Sequence, residues 1–187
     1  ARVREMRVFP AAFSLVAAMN PCPCGWHGDR SGRCRCSFLQ VQRYQARLSG
    51  PLLDRIDIHY AVRPVALESI VESRSGMTSD EARHKVVAAR ERQTLRYAGQ
   101  SFATNARIPA NALERFAAIS GRVKKTMLEA ARRLELTARA LSRTRRLART
   151  LADLRGADEI GEGDVLEALQ YRTLDREIRD GPETRGF

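Results

Sequence analysis

No stretch of this chain is long and apolar enough to cross a bilayer as a helix. The longest apolar run, Ala11 to Met19, contains a serine and falls well short of the roughly 20 residues a span needs. A secretory leader is missing as well: Ala1-Arg2-Val3-Arg4-Glu5-Met6-Arg7 alternates charge with apolar residues and has no hydrophobic h-region. Both absences lead to the expectation of a cytoplasmic protein with no membrane partner. Repeats and low-complexity segments are absent too, which leaves out solenoids and most disordered classes. Acidic residues are scarce, 22 Asp and Glu against 33 Lys and Arg, so the chain carries a formal +11. An excess of that size points to polyanionic partners, nucleic acid or nucleotide, and says nothing about fold. What remains is ordinary globular material: 187 residues, 43% hydrophobic and 29% charged, enough for one domain or two small ones.

The sequence begins without Met on a strand-like pattern, Val3 to Phe9, and reads as part of a longer protein. Residues Phe13-Ser14-Leu15-Val16-Ala17-Ala18-Met19, bounded by Pro10 and Asn20-Pro21, read as a strand buried on both faces of a parallel sheet. Ser37 is a candidate N-cap for a helix carrying Val41, Tyr44 and Leu48, with Gly50-Pro51 ending it. A second strand is expected where Ile56, Ile58 and Tyr60 alternate with Asp57, His59 and Ala61, closed by Arg63-Pro64. Beyond that point the pattern is helical throughout. Thr78 with Glu81 forms a capping box for a helix to about Tyr97, and Asn111 with Glu114 repeats the device for a short helix carrying Leu113 and Phe116. Ser120 opens a helix with Val123, Met127, Ala130 and Leu134 on one face. Thr137 opens a longer one to about Leu154, and Gly163 to Gln170 makes the last. The organisation is α/β followed by all-α, with 1–65 and 66–187 as the two domains.

All four cysteines lie within fifteen residues, as Cys22-Pro23-Cys24 and Cys34-Arg35-Cys36. In a reducing compartment a disulfide framework is disfavoured, and two close pairs converging from a loop with the turn residues Gly25, Gly28, Asp29, Ser31 and Gly32 suit four thiolates around a tetrahedral Zn²⁺. The C-x-C spacing differs from the C-x-x-C of ordinary zinc ribbons, so four reduced thiols on a surface loop stay open as the alternative. His27 lies inside the loop and is a possible substitute ligand.

Longer motifs carry a resemblance. Phe9-Pro10-Ala11-Ala12-Phe13, Leu15 to Gly25, and Arg47-Leu48-Ser49-Gly50-Pro51-Leu52-Leu53-Asp54-Arg55-Ile56-Asp57 resemble the magnesium-chelatase-like AAA+ ATPases of the ComM (YifB) type. So do Thr137-Ala138-Arg139-Ala140 and Ala148 to Leu154. The resemblance implies the carboxyl-terminal part of an AAA+ P-loop core followed by a small helical lid. Asn20, at the end of a strand beside the nucleotide, would be sensor 1, a short polar side chain able to hold the attacking water. Arg55 would be the arginine finger, with Arg47 in reserve, because a planar and always charged guanidinium can bridge a phosphate as charge builds. Arg139 would be sensor 2, reaching over nucleotide from the lid. Arg143, Arg145, Arg146 and Arg149 receive no role beyond a basic field. No G-x-x-x-x-G-K-[ST] motif occurs anywhere in the chain, so ATP and Mg²⁺ chemistry is expected of the full-length parent and not of these residues alone. By resemblance the parent would form a ring, a hexamer, and drive DNA branch migration, with Arg2, Arg4 and Arg7 near the pore. The rival expectations are a chelatase-type motor acting on a protein partner and a zinc-stabilised binding module without ATPase function.

Overall fold

The computed structural model describes residues 9, 11, 13–29, 31–62, 65 and 76–172. The expected first strand, with Arg2, Arg4 and Arg7, lies outside them apart from Phe9, as do Arg63 and Pro64. Backbone proximity divides the chain into two compact units, Ala1–Gln45 and Ala46–Phe187.

Among the described residues of the first unit the regular element is helix α1 (Phe38–Gln45). Ser37 caps it as expected: the Gln40 amide donates to Ser37 Oγ at 3.3 Å, and the Ser37 amide donates back to Gln40 Oε1 at 2.8 Å. The strand expected over Phe13–Met19 is not formed. A strand buried on both faces needs neighbours along its edges and a layer on each side. Among the described residues no strand stands beside it, and its side chains face solvent, with Val16 at 93% exposure.

The described residues of the second unit form helices and no strand. Its elements are α2 (Gly50–Leu53), α3 (Ser79–Arg96), two 3₁₀ turns over Asn105–Arg107 and Ala110–Ala112, α4 (Leu113–Phe116), α5 (Gly121–Arg133), α6 (Ala138–Leu154) and α7 (Glu162–Gln170). The Thr78–Glu81 capping box is present in both directions, and Thr137 accepts from the Ala140 amide at 3.1 Å to open α6. Three local expectations are corrected. Gly50-Pro51 does not end a helix but starts α2, because Pro fits the first turn, where its missing N–H costs nothing, and Ser49 supplies the cap. Asn111 does not cap α4: it sits inside a 3₁₀ turn that Pro109 opens. The strand expected over Ile56–Ala61 is irregular. Besides a local turn bond from the Ile56 amide to the Leu53 carbonyl, its backbone link among the described residues is the His59 amide to the Tyr171 carbonyl at 2.8 Å, too little for a ladder, and His59 is buried where the apolar Ile58 and Tyr60 face out.

The core gathers where α6 and α7 pack together. Ala148 and Ala152 let α7 approach closely, bringing Val165, Ala168 and Leu169 against them, while Met127 of α5 closes one side. Tyr97, Phe102 and Phe116 pack as a trio with ring centroids 5.0 to 5.5 Å apart, a spacing favourable for tilted and edge-on rings. No described helix is long and apolar enough to cross a membrane.

Candidate functional site

The cysteine loop is built from tight turns. The Gly25 amide donates to the Cys22 carbonyl at 3.0 Å, and Gly25 adopts φ +83°, a conformation that a side chain would strain. A second turn is fixed by Asp29, whose carboxylate accepts from the Ser31 amide, the Ser31 hydroxyl and the Arg33 guanidinium. The Ser31 hydroxyl bond, ahead of its amide and the Arg33 charge, holds the Asp29 carboxyl below its ordinary range. Arg33 in turn lies 3.6 Å over the Trp26 ring.

These turns bring the four sulfurs together. Cys22 Sγ is 3.3 Å from Cys24 Sγ and 3.9 Å from Cys34 Sγ, Cys24 and Cys34 are 3.7 Å apart, and with Cys36 all four lie within 4.8 Å of one another. A tetrahedral Zn²⁺ with bonds of about 2.3 Å sets its sulfurs about 3.8 Å apart, so the set fits that ion. The electrostatics agree. Backbone amides of Trp26 and then Arg35 aim at Cys24 and lower its pKa to about 6. At Cys36 the Cys24 amide favours the thiolate, but hydrogen bonding with the Cys24 thiol, loss of water and the Cys22 thiol outweigh it and push the pKa up to about 12. Four thiols this close cannot all ionise without a cation among them. His27 is not part of the cluster.

The second candidate site lies within the helical unit, where residues 53–59 meet the start of α6. Asp54 accepts from the Thr137 hydroxyl at 3.2 Å and stands 3.9 Å from Arg139 Nη1 and 3.6 Å from Arg172 Nη2. Asp57 is held by Arg143. Both acids beside Arg55 are thus engaged by other cations. Arg55 itself is exposed and donates to the Pro51 carbonyl at 2.8 Å, with no carboxylate partner among the described residues. Arg139 keeps 59% of its side chain in solvent. The expected finger and sensor 2 residues are therefore on adjoining segments of one unit, linked through Asp54. Asn20 and the cysteines belong to the other unit, where Asn20 is exposed next to Gly25. Arg47 is exposed in the second unit.

Sequence reasoning missed what the α6 arginines do. They are not a solvated stripe. Arg143 donates to the Arg55 carbonyl, Arg145 to the Ala117 carbonyl and Glu114, Arg146 to the Ile108 carbonyl, and Arg149 to the Ala157 and Asp158 carbonyls. One helix thereby fastens four separate segments, which a multi-donor guanidinium can do and an ammonium cannot match. Also missed was the buried Asp153, bonded by Arg96 at 2.8 and 2.6 Å, by Arg149 at 3.0 Å and by Asn105 at 2.8 Å. The i,i+4 spacing of Arg149 and Asp153 was the available signal.

Residues 76–172 match the family model described as magnesium chelatase, subunit ChlI C-terminal, and residues 1–70 match that of magnesium chelatase, subunit ChlI. The chain is 38% identical to the competence protein ComM of Haemophilus influenzae over 169 residues, 90% of this chain and 32% of that protein. It is 34% identical to YifB of Salmonella typhimurium over 178 residues, 94% of this chain and 34% of that protein. YifB of Escherichia coli is 35% identical over the same length. The chain spans about a third of the length of these relatives. The C-terminal family match, residues 76–172, lies within the helical unit and takes in more than half of the chain, which belongs to the magnesium chelatase subunit ChlI family.

Proposed function

We propose that this chain supplies the sensors, arginine finger and lid of a ring-forming AAA+ ATPase whose phosphate loop and Mg²⁺ ligand lie elsewhere in the parent. The observation that carries the reading is the state of Arg55. Its neighbouring acids Asp54 and Asp57 are occupied by lid cations, and its own guanidinium stays exposed, as a group that must reach a phosphate on another subunit requires. Arg139 on the same unit takes the sensor 2 role and Asn20 the sensor 1 role, with Arg47 the reserve finger. The exposed run Phe13–Met19 and the irregular Ile56–Ala61 segment would complete a parallel sheet with the remaining core. Without a phosphate loop to cradle β- and γ-phosphates, the 187-residue chain alone neither binds ATP tightly nor hydrolyses it.

The likeness to a protein named for competence and the +11 charge support DNA as the material the ring works on, by branch migration, in the cytoplasm and as a hexamer. Arg2, Arg4 and Arg7 would add to the pore charge. The chelatase name of the matching family models favours a second reading, a motor that remodels a protein partner. Stimulation of the parent's hydrolysis by single-stranded or forked DNA separates the two: a clear rise supports the first, and none supports the second. Cys22, Cys24, Cys34 and Cys36 would hold one structural Zn²⁺, which contributes folding energy and no redox chemistry.

The test of the ATPase reading is Arg55→Ala in the parent. An arginine finger contributes on the order of 10³ to 10⁵ in rate, so hydrolysis should be lost while nucleotide binding stays nearly intact. Mixing that variant with subunits lacking the phosphate-loop lysine should restore part of the activity, since some interfaces then pair an intact finger with an intact loop. Hydrolysis at the parental rate by Arg55→Ala would remove the assignment and turn attention to Arg47.

A further inference from the structure

We infer that Arg143 and Arg172 are positioning residues for Arg55, fixing the turn that carries it to the lid helices so that finger and lid move as one piece. This deepens the reading above and rests on it. Consecutive backbone carbonyls of the turn accept bonds from the two arginines. Arg143 Nη1 donates to the Arg55 carbonyl at 2.7 Å and also holds the Asp57 carboxylate. Arg172 Nη1 donates to the next carbonyl, Ile56, at 2.6 Å, from a side chain with no exposure at all. On either side, the His59 ring donates to the Leu53 carbonyl at 3.1 Å and the His59 amide donates to the Tyr171 carbonyl at 2.8 Å.

The chemistry suits a clamp. A guanidinium stays charged at every relevant pH and presents donors in a rigid fork, so each arginine can hold a carbonyl and a carboxylate at once. The bonds take the backbone of residues 55 and 56 and leave the Arg55 side chain uncommitted to any described carboxylate. Arg143 lies on α6, one turn beyond Arg139, and Arg172 lies two residues past the end of α7, so the clamp points are on one and directly after the other of the two helices that form the core of the unit. A lid displacement that moves Arg139 therefore carries the Arg55 backbone with it. The site served by sensor 2 and the site served by the finger become mechanically linked through Arg143 and Arg172.

The experiment is steady-state hydrolysis by the full-length ring carrying Arg143→Gln, Arg143→Lys, Arg55→Ala, or Arg55→Ala with Arg143→Gln. Misplacing a reacting group by about 1 Å costs on the order of 10²-fold, so Arg143→Gln should lower kcat by about that factor and leave KM for ATP within about twofold. Arg143→Lys, which keeps the charge and loses the fork, should fall between. The double variant should be no slower than Arg55→Ala alone, because Arg143 acts through Arg55. If Arg143→Gln does not fold, the split between kcat and KM in Arg143→Lys decides in its place: a lowered kcat at unchanged KM supports the clamp, and a parental kcat overturns it. A parental kcat in Arg143→Gln beside an inactive Arg55→Ala overturns the clamp alone, as does a double variant slower than either single one. A parental rate in Arg55→Ala overturns the finger reading and the clamp with it.

Discussion

The two units of this chain are held together by different means. Among the described residues of the first unit only Cys22 and Val41 are buried, far too few to form a core. The second buries a continuous apolar cluster under α6 and α7 and adds a network of internal arginine bonds. Small loop-rich segments that cannot bury enough surface rely on cross-links or metals, and four sulfurs within 4.8 Å of one another are positioned for that purpose. The helical unit needs no ion. What would be a zinc centre in one region is, in the other, a carboxylate with donors around it: Asp153 gathers the cations Arg96 and Arg149 and the Asn105 amide.

This contrast can be broken from either side. The largest expected effect is removal of a metal ligand: structural zinc contributes on the order of 10 kcal/mol to small domains. Cys22→Ser or Cys36→Ser should lower bound zinc from about one equivalent towards none and shift the emission of Trp26, the single tryptophan of the chain, while helical circular dichroism is retained. Next is Asp153→Ala, which leaves Arg149 buried without its carboxylate. Breaking a buried pair costs about 3–5 kcal/mol, so the helical melt should move down strongly with zinc content unchanged. Thr78→Ala removes the capping box of α3 and should cost about 1 kcal/mol, visible as a small shift of the same melt.

The most modest expectation concerns pH. Burial works to raise the Asp164 pKa, but hydrogen bonds from Arg155 and the Gly161 amide prevail and hold it below the ordinary carboxylate value. A depressed folded pKa contributes stability that is present above the unfolded value near 4 and is lost as pH falls through the folded value. The acid limb of the helical melt should therefore be shallower in Asp164→Asn than in the parent chain. Equal limbs would show that the ion pair with Arg155 does not stabilise the fold.

How legible each region was follows from the same difference. Helix starts were readable where a side chain closes its own cap: Ser37, Thr78 and Thr137 each bond an amide within three residues. The cysteine cluster was readable because ligand type and spacing are local. The strands were not, since a strand is stable only with a partner, and neither Phe13–Met19 nor Ile56–Ala61 has one among the described residues. The α6 arginines were illegible for a related reason. Most of the groups they bond, the carbonyls of residues 55, 108, 117, 157 and 158, are backbone groups, which carry no sequence signature, and the carboxylates of Asp57 and Glu114 lie far off in sequence; the Arg149–Asp153 pair, four residues apart, is the local exception. The link from Asp54 to Arg139 joins residues 85 positions apart and leaves no periodic trace.

The most direct test of the contrast is to titrate metal-free chain with Zn²⁺ while following Trp26 emission and hydrogen exchange in the two units together. Uptake should saturate at one equivalent, change Trp26 emission, and protect amides of residues 20–36, with amides of α3, α6 and α7 exchanging as slowly before as after. No uptake, or protection rising in α6 and α7 along with the loop, would contradict a metal-held region beside a self-sufficient helical one.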